Sequence, residues 1–174
     1  MTNLALKGII GVKAMAEISQ ALGQKYDAQL YNNYAASLAA SWVSLAMSSS
    51  GDRLLGSYDD EQSWALMYNL YADRLLQTGV VEQTVNSFAR AFYTIINTAA
   101  APQFGLPLDS DAGNVSNVAW LLFTAGTVLD DDVRDGLVNS VWARASFNQT
   151  TGPFPDTYDI VTGAIQGSPN ANAG

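Results

Sequence analysis

The stretch SYDDEQSWALMYNLYADRLL, from Ser57 to Leu76, decides the fold class. Its large apolar side chains fall on two faces when they are placed at helical spacing. One face holds Trp64, Met67, Tyr68, Tyr71 and Leu75, and the other face holds Leu66, Leu70 and Leu76. A helix that is apolar on two sides is packed on two sides. The stretch therefore predicts a helix over residues 61–77 that lies between neighbouring helices.

Five other segments have helical periodicity, at residues 4–22, 25–48, 80–100, 115–127 and 131–147. The apolar stripe of the first consists of Leu6, Ile10, Ala14, Ile18 and Leu22, and that of the second consists of Leu30, Tyr34, Leu38, Trp42 and Leu45. Gly23 lies between these two segments and is a helix stop signal, so they should form a hairpin. The only β-like run is YDIVTGAI, at residues 158–165.

These segments predict an all-α fold of antiparallel helical hairpins, arranged as a bundle or as an α/α toroid. In a toroid, each inner helix has neighbours on both sides and is covered by an outer helix. The doubly apolar stretch therefore favours the toroid. We expect a single domain over residues 1–163 and a flexible tail over residues 164–174, whose end is small and polar.

Composition narrows the classes of function. The formal charge is −8, and the three lysines all lie in the first fifth of the 174 residues, which argues against a nucleic-acid partner. The chain has no cysteine and no histidine, which excludes a Ser-His-Asp triad, a histidine-bound zinc and a cysteine nucleophile. Its apolar runs are shorter than the roughly 20 residues that a membrane span needs. We expect no cofactor, no metal and no membrane insertion.

Four motifs follow one another along the chain, GIIGVKAMAEISQALG, SYDDEQSWALMYNLYADRLL, FGLPLDS and FPDTYDIVTG. Together, and in this order, they resemble the C-terminal part of the fungal glutaminase A family. The resemblance covers about residues 4–163. It implies a secreted protein, a fold like that of the six-hairpin α/α-toroid glycosidases, and hydrolysis of L-glutamine to L-glutamate and ammonia. The six helical segments then correspond to about half of an (α/α)6 toroid.

One part of the chain departs from the family pattern. Where the family shows a run close to Thr-Lys-Ser-Asp-Trp-Glu, this chain has Ser116, Asn117, Val118, Ala119, Trp120 and Leu121. The tryptophan is retained, but uncharged residues replace the lysine and both acids. If the replaced groups bind substrate or move protons in the family, this chain cannot do the same.

The acids Asp59, Asp60 and Glu61 have two interpretations. Ser57 and Asp60 fit the capping-box spacing, and acids in a first turn offset the helix dipole. Alternatively, Asp59 or Asp60 is a general acid or base at the mouth of the toroid. We keep both as catalytic candidates, together with Asp73.

The substrate-binding candidates are Tyr68, Asn69, Asp109 and Trp120. Tyr68 is equally consistent with a core residue, since an aromatic stripe at helical spacing is usually core. Asn69 and Asp73 are four residues apart and would line one polar cavity; the alternatives are a buried structural hydrogen bond for Asn69 and an arginine partner for Asp73. Asp109 either faces the ring cavity or closes a turn after Pro107.

Asp109 and Asp111 fail the EF-hand test for calcium, because Gly113 and Asn114 occupy loop positions five and six.

Two hypotheses follow. The chain is either an active glutaminase that takes a small-molecule amide substrate, or a secreted binding or immunomodulatory-type protein whose amidohydrolase activity is incomplete. Half a ring would expose apolar flanks, and a homodimer that completes the ring would cover them.

Overall fold

The computed structural model describes residues 1–81, 102–149 and 152–166. Five helices and a small antiparallel sheet of two strands occupy these ranges. The helices are α1 (Thr2–Ala21), α2 (Lys25–Ala46), α3 (Leu70–Leu76), α4 (Val118–Ala125) and α5 (Asp131–Ala145), and the strands are β1 (Val115–Asn117) and β2 (Thr157–Asp159). The prediction of an all-α fold is confirmed. The helix predicted at residues 80–100 lies almost entirely outside the described residues.

The first two helices form the predicted hairpin. Gly23 adopts a left-handed conformation with φ of 75°, which turns the chain between α1 and α2. The buried Trp42 indole of α2 donates a hydrogen bond of 2.8 Å to the Thr2 carbonyl oxygen at the start of α1. Because α1 and α2 are long and pack along each other, the hairpin is the most regular part of the fold.

The predicted apolar stripes of this hairpin are only partly buried. Leu6, Ile10 and Trp42 are core residues as predicted, but Ile18 and Leu22 are 50% and 68% exposed. On α2 the exposed members of the predicted stripe are Tyr34, Leu38 and Leu45, and the buried positions besides Trp42 are Ala28, Ala35, Ala39 and Ala46. The small side chains on the buried face of α2 allow its neighbours to approach closely. The prediction that Tyr34, Leu38 and Leu45 lie on that face was therefore wrong.

The prediction of a helix over residues 61–77 was wrong in extent. Only Leu70–Leu76 is helical, and residues 61–69 have an irregular path. The backbone of this path is bonded to a distant segment: the Leu66 amide donates to the Leu108 carbonyl at 2.9 Å, and Ala65 forms a bridge with Asp109. Periodicity alone does not reveal such a long-range partner. The expected packing on two sides is nevertheless present, since α3 contacts both α1 and α4.

Two further helix boundaries differ from prediction. Residues 115–117 form β1, which pairs with β2 within the β-like run, so the helix predicted from residue 115 begins at Val118. The helix predicted from residue 131 is confirmed, and the Asp130 carboxylate caps it by accepting a hydrogen bond of 3.0 Å from the Val133 amide. Asn117 caps α4 in the same way, through the Trp120 amide.

The principal helix contacts follow one order, α2 to α1 to α3 to α4 to α5. Among the described helices, α2 and α5 are therefore the two ends of this order of contacts, and α3 lies in the middle. None of the helices in the described ranges is long and apolar enough to cross a membrane. Residues 164–166 bond back to β2, because the Asp159 amide donates to the Ala164 carbonyl at 2.8 Å. The predicted tail otherwise lies outside the described residues.

Candidate ligand-binding site

Two aromatic stacks join α3, and the residues before it, to α4. The rings of Tyr68 and Trp120 lie 4.3 Å apart at an interplanar angle of 15°, and those of Tyr71 and Phe123 lie 5.1 Å apart at 17°. The four side chains are only partly buried or exposed, so a surface of aromatic rings remains in contact with solvent. The structure thus brings together two of the predicted binding residues, Tyr68 and Trp120. We call these four residues the aromatic junction.

Local structure fixes the position of Trp120. The Asn117 side-chain oxygen accepts a hydrogen bond of 3.2 Å from the Trp120 amide, and its side-chain nitrogen donates to the Thr157 hydroxyl at 3.3 Å. Asn117 therefore ties the first turn of α4 to β2. Phe123 lies one turn further along α4 and stacks on Tyr71. Sequence reasoning did not select Phe123, although its spacing of three residues from Trp120 is a helical signal.

The Tyr68 hydroxyl is a neutral hydrogen-bond donor. A tyrosine hydroxyl is neutral at physiological pH, and burial raises the pKa of Tyr68 further. The hydroxyl makes no hydrogen bond with any residue of the ranges that the structure describes. A flat aromatic surface with one neutral donor suits a small ligand that has a carbonyl oxygen.

Asp109 lies in the segment that pairs with the approach to Tyr68. The Ser110 amide donates to the Trp64 carbonyl at 3.0 Å, and Asp109 is opposite Ala65 in the same bridge. The Asp109 carboxylate accepts a hydrogen bond of 2.9 Å from the Asp111 amide, so it closes its own loop. The structure therefore gives Asp109 the turn role that the sequence offered as one alternative.

Asp59 and Asp60 lie in an exposed turn. No helix begins at these acids, so the capping interpretation was wrong; the next helix starts at Leu70. Asp59 has a left-handed backbone with φ of 62°, and the Asp60 carboxylate accepts a hydrogen bond of 3.1 Å from the Gln62 amide. The third acid, Glu61, accepts from the Ser49 amide through both carboxylate oxygens, at 3.1 and 3.0 Å. Within the described ranges, neither Asp59 nor Asp60 is bonded to Tyr68 or Trp120.

Asn69 has a structural role. Its side-chain nitrogen donates to the Asn3 carbonyl at 3.0 Å, and the Asn3 side chain donates to the Leu66 carbonyl at 3.2 Å. These bonds fasten the start of α3 to α1. The alternative of a structural hydrogen bond therefore describes Asn69, and the sequence could not show this because its partner is 66 residues away.

Asp73 is buried and fully engaged. One carboxylate oxygen accepts from the Thr78 hydroxyl at 2.5 Å and from the Val80 amide at 2.8 Å, and the other accepts from the Val81 amide at 3.4 Å. Asp73 thus holds the chain that leaves α3. No arginine of the described ranges pairs with Asp73, and the neighbouring Arg74 donates to the Thr127 carbonyl at 3.3 Å instead.

A cleft of about 370 Å³ lies beside Asp73 and is separate from Asn69. The residues that line it are Leu70, Asp73, Arg74, Gln77, Gly79, Thr127 and Leu129. Sequence reasoning did not select Arg74 or Thr127. Across the described ranges, no group of three acidic side chains is placed to hold a metal ion.

The fold and this junction define a protein of the helical-hairpin class. The glutaminase A six helical-hairpin domain model matches residues 1–173, so the chain belongs to this family. It is 35% identical over 164 residues to the glutaminase A of Aspergillus oryzae, covering 93% of this chain and 23% of that protein. It is 27% identical over 184 residues to a probable glutaminase of Arthroderma benhamiae, covering 90% of this chain and 21% of that protein. The chain spans less than a quarter of the length of these relatives.

Proposed function

We propose that this chain is a glutaminase-like binding protein that does not hydrolyse glutamine by itself. The observation that carries the proposal is the separation of its candidate carboxylates. Asp59 and Asp60 lie in an exposed turn, Asp73 is saturated by the chain after α3, and Asp109 closes its own loop. Amide hydrolysis needs a base for water, a donor to the leaving ammonia and stabilisation of the oxyanion, all at one point.

The aromatic junction is the ligand surface in this proposal. The Tyr68 hydroxyl donates to the carbonyl oxygen of a small amide such as L-glutamine, and the Trp120 ring covers the aliphatic part of that ligand. The stacking of these two rings supports the assignment, because it holds both in one orientation before the ligand arrives.

A matched pair of tyrosine variants tests the ligand surface. Tyr68→Phe removes the hydroxyl and retains the ring, so the affinity for L-glutamine measured by calorimetry should fall by roughly fivefold to tenfold, the value of one hydrogen bond. Tyr58 is the control, since it is also partly buried and also has a pKa raised by burial. Tyr58→Phe should leave the affinity unchanged, and equal losses in both variants would contradict the assignment.

An active glutaminase is the second candidate, and the similarity to one glutaminase A and one probable glutaminase favours it. The decisive assay is ammonia release from L-glutamine by the purified chain. Turnover above the blank that is abolished by Asp60→Asn would establish the enzyme and overturn the binding proposal. No release, together with saturable binding of L-glutamine, would support the binding proposal.

Secretion and an immunomodulatory-type role belong to the same proposal. Family membership and the fungal relatives support secretion at the level of the family only. Detection of the chain in the medium rather than in cells of its source would test secretion. Cytokine release from immune cells exposed to the purified chain would test the second role, with heat-unfolded chain as the control.

A further inference from the structure

The outward side of α1 is an exposed apolar stripe. Its members follow one another at alternating steps of four and three residues, which keeps them on one face of a helix. They are Leu4, Gly8, Gly11, Met15, Ile18 and Leu22, and the four large side chains are 64%, 43%, 50% and 68% exposed. We call this set the α1 stripe. The buried residues Leu6, Ile9 and Ile10 occupy the opposite side of the same helix.

The α1 stripe has the shape of a helix-packing surface. Gly8 and Gly11 are exposed, and no atom lies within 4 Å of the position that a Cβ would take at either glycine. Glycines between large apolar residues let a second helix approach the backbone closely. α2 extends the apolar surface of this hairpin with the exposed Tyr34, Leu38 and Leu45. A helix that is apolar both inside and outside is packed on both sides.

A second exposed stripe lies on α5, which packs on α4. At the same alternating steps, α5 presents Asp131, Asp135, Val138, Trp142 and Ala145, all of them exposed. Trp142 is 70% exposed and Val138 is 42% exposed. We call this set the α5 stripe. It is acidic at its start and apolar towards its end.

The α1–α2 hairpin and α5 differ in the sign of their net charge. Residues 1–46 carry three lysines against two acids, whereas residues 130–145 carry two arginines against four acids. Lys7 and Lys25 are exposed on the hairpin, and Asp131 and Asp135 are exposed on α5. Arg134 pairs with both Asp131 and Asp135, and α5 with its cap Asp130 still has an excess of two acids, which favours contact with the hairpin of another copy.

We propose that the α1 stripe is a docking surface for the α5 stripe of a second copy of this chain. The contact forms twice between two copies, because each copy offers both stripes. Two such contacts between two copies are related by a two-fold axis, so the assembly closes and does not form a filament.

Association in solution gives the first test. The full chain should be a dimer by light scattering at about 50 μM, and raising the salt concentration should weaken the dimer because the hairpin and α5 differ in the sign of their net charge. A monomer at all concentrations up to this value would overturn the proposal. The α1 stripe would then be covered by something other than a second copy, such as hairpins of a longer polypeptide.

Variants on each stripe give the second test. Ile18→Asp and Trp142→Asp place a charge in the apolar contact, so each should reduce dimer affinity at least tenfold while circular dichroism stays unchanged. Leu75→Asp is the control, because Leu75 is 63% exposed on α3 and belongs to neither stripe. Loss of dimer in the control, or retention of full dimer affinity in both stripe variants, would contradict the proposal.

Mixing the two variants identifies which stripes meet. Each mixed pair retains one intact contact, between the α1 stripe of Trp142→Asp and the α5 stripe of Ile18→Asp. The proposal therefore predicts a heterodimer in the mixture, weaker than the wild-type dimer and stronger than either variant alone. A dimer held by two α1 stripes would instead leave Trp142→Asp fully dimeric, and that result would overturn the pairing.

Discussion

The α1–α2 hairpin and the segment at residues 57–81 differ in where their backbone hydrogen bonds go. The hairpin satisfies its amides within two long helices, α1 and α2. The segment bonds instead to distant partners, as the Leu66 amide does to Leu108 and Asn69 does to Asn3. The comparison teaches that local pattern suffices for the first region, whereas the second acquires its shape only when the rest of the chain surrounds it.

The largest expected effect is in the hairpin, at Trp42. Trp42 is 2% exposed and its indole holds the Thr2 carbonyl, so Trp42→Ala should lower the free energy of unfolding by about 3–5 kcal/mol. Urea unfolding followed by circular dichroism measures this loss. Leu45→Ala is the control on the same helix, where Leu45 is 56% exposed, and a change of about 0.5 kcal/mol or less is expected. Equal losses would mean that the buried face of α2 is assigned incorrectly.

These two residues also show what could be predicted from the sequence. Periodicity predicted both helices of the hairpin and the burial of Trp42, but it placed Leu45 on the same stripe. Burial depends on which neighbour covers a face, and a single helix does not carry that information. Alanines at Ala28, Ala35 and Ala39 form the buried side of α2 because small residues permit close approach.

The positions of the candidate site residues were also predicted only in part, because they too depend on distant parts of the chain. Tyr68 and Trp120 were selected, and the structure stacks them. The acids at Asp59 and Asp60 were expected in or beside a helix, but the backbone of residues 61–69 is bonded elsewhere and the acids lie in a turn. Helical spacing cannot report a bond to a residue more than 40 positions away, as between Leu66 and Leu108.

The next largest effect is expected at Gly56, directly before the segment at residues 57–81. A Cβ at Gly56 would lie 2.8 Å from the Trp64 carbonyl oxygen, which is backbone and cannot rotate away. Gly56→Ala should therefore lower the free energy of unfolding by about 1–3 kcal/mol. Gly8→Ala should raise it by up to about 1 kcal/mol, because Gly8 lies within α1 with nothing within 4 Å of that position. Thermal unfolding at low protein concentration compares the two, and a neutral Gly56→Ala would contradict the close approach.

A smaller effect is expected where α4 begins. Asn117→Ala removes the cap that accepts from the Trp120 amide and should cost about 1 kcal/mol in the free energy of unfolding. Asn117→Asp keeps a capping oxygen and should retain nearly all of the stability. If both variants lose the same free energy of unfolding in a urea titration, the Asn117 cap does not fix the position of the aromatic junction.

The smallest effect is a pH dependence at the turn after β2. Hydrogen bonds from the Thr162 and Val161 amides, at 2.7 and 2.9 Å, lower the pKa of the Asp159 carboxyl below its ordinary value. A lowered folded-state pKa contributes stability above the unfolded-state pKa of about 3.9, and this contribution is lost as the pH falls through the folded-state pKa. Unfolding midpoints of wild type and Asp159→Asn should therefore differ at pH 6 and converge at acid pH. A difference that is constant with pH would contradict this origin.

The central claim is that the aromatic junction, and not the acidic turn, is the functional surface. An NMR titration with L-glutamine on ¹⁵N-labelled chain tests both regions in one experiment, through the Trp120 indole and the amides of Asp59 and Asp60. The account predicts that the Trp120 indole signal shifts saturably while the amide signals of Asp59 and Asp60 stay in place. Shifts confined to Asp59 and Asp60, with Trp120 unmoved, would contradict it.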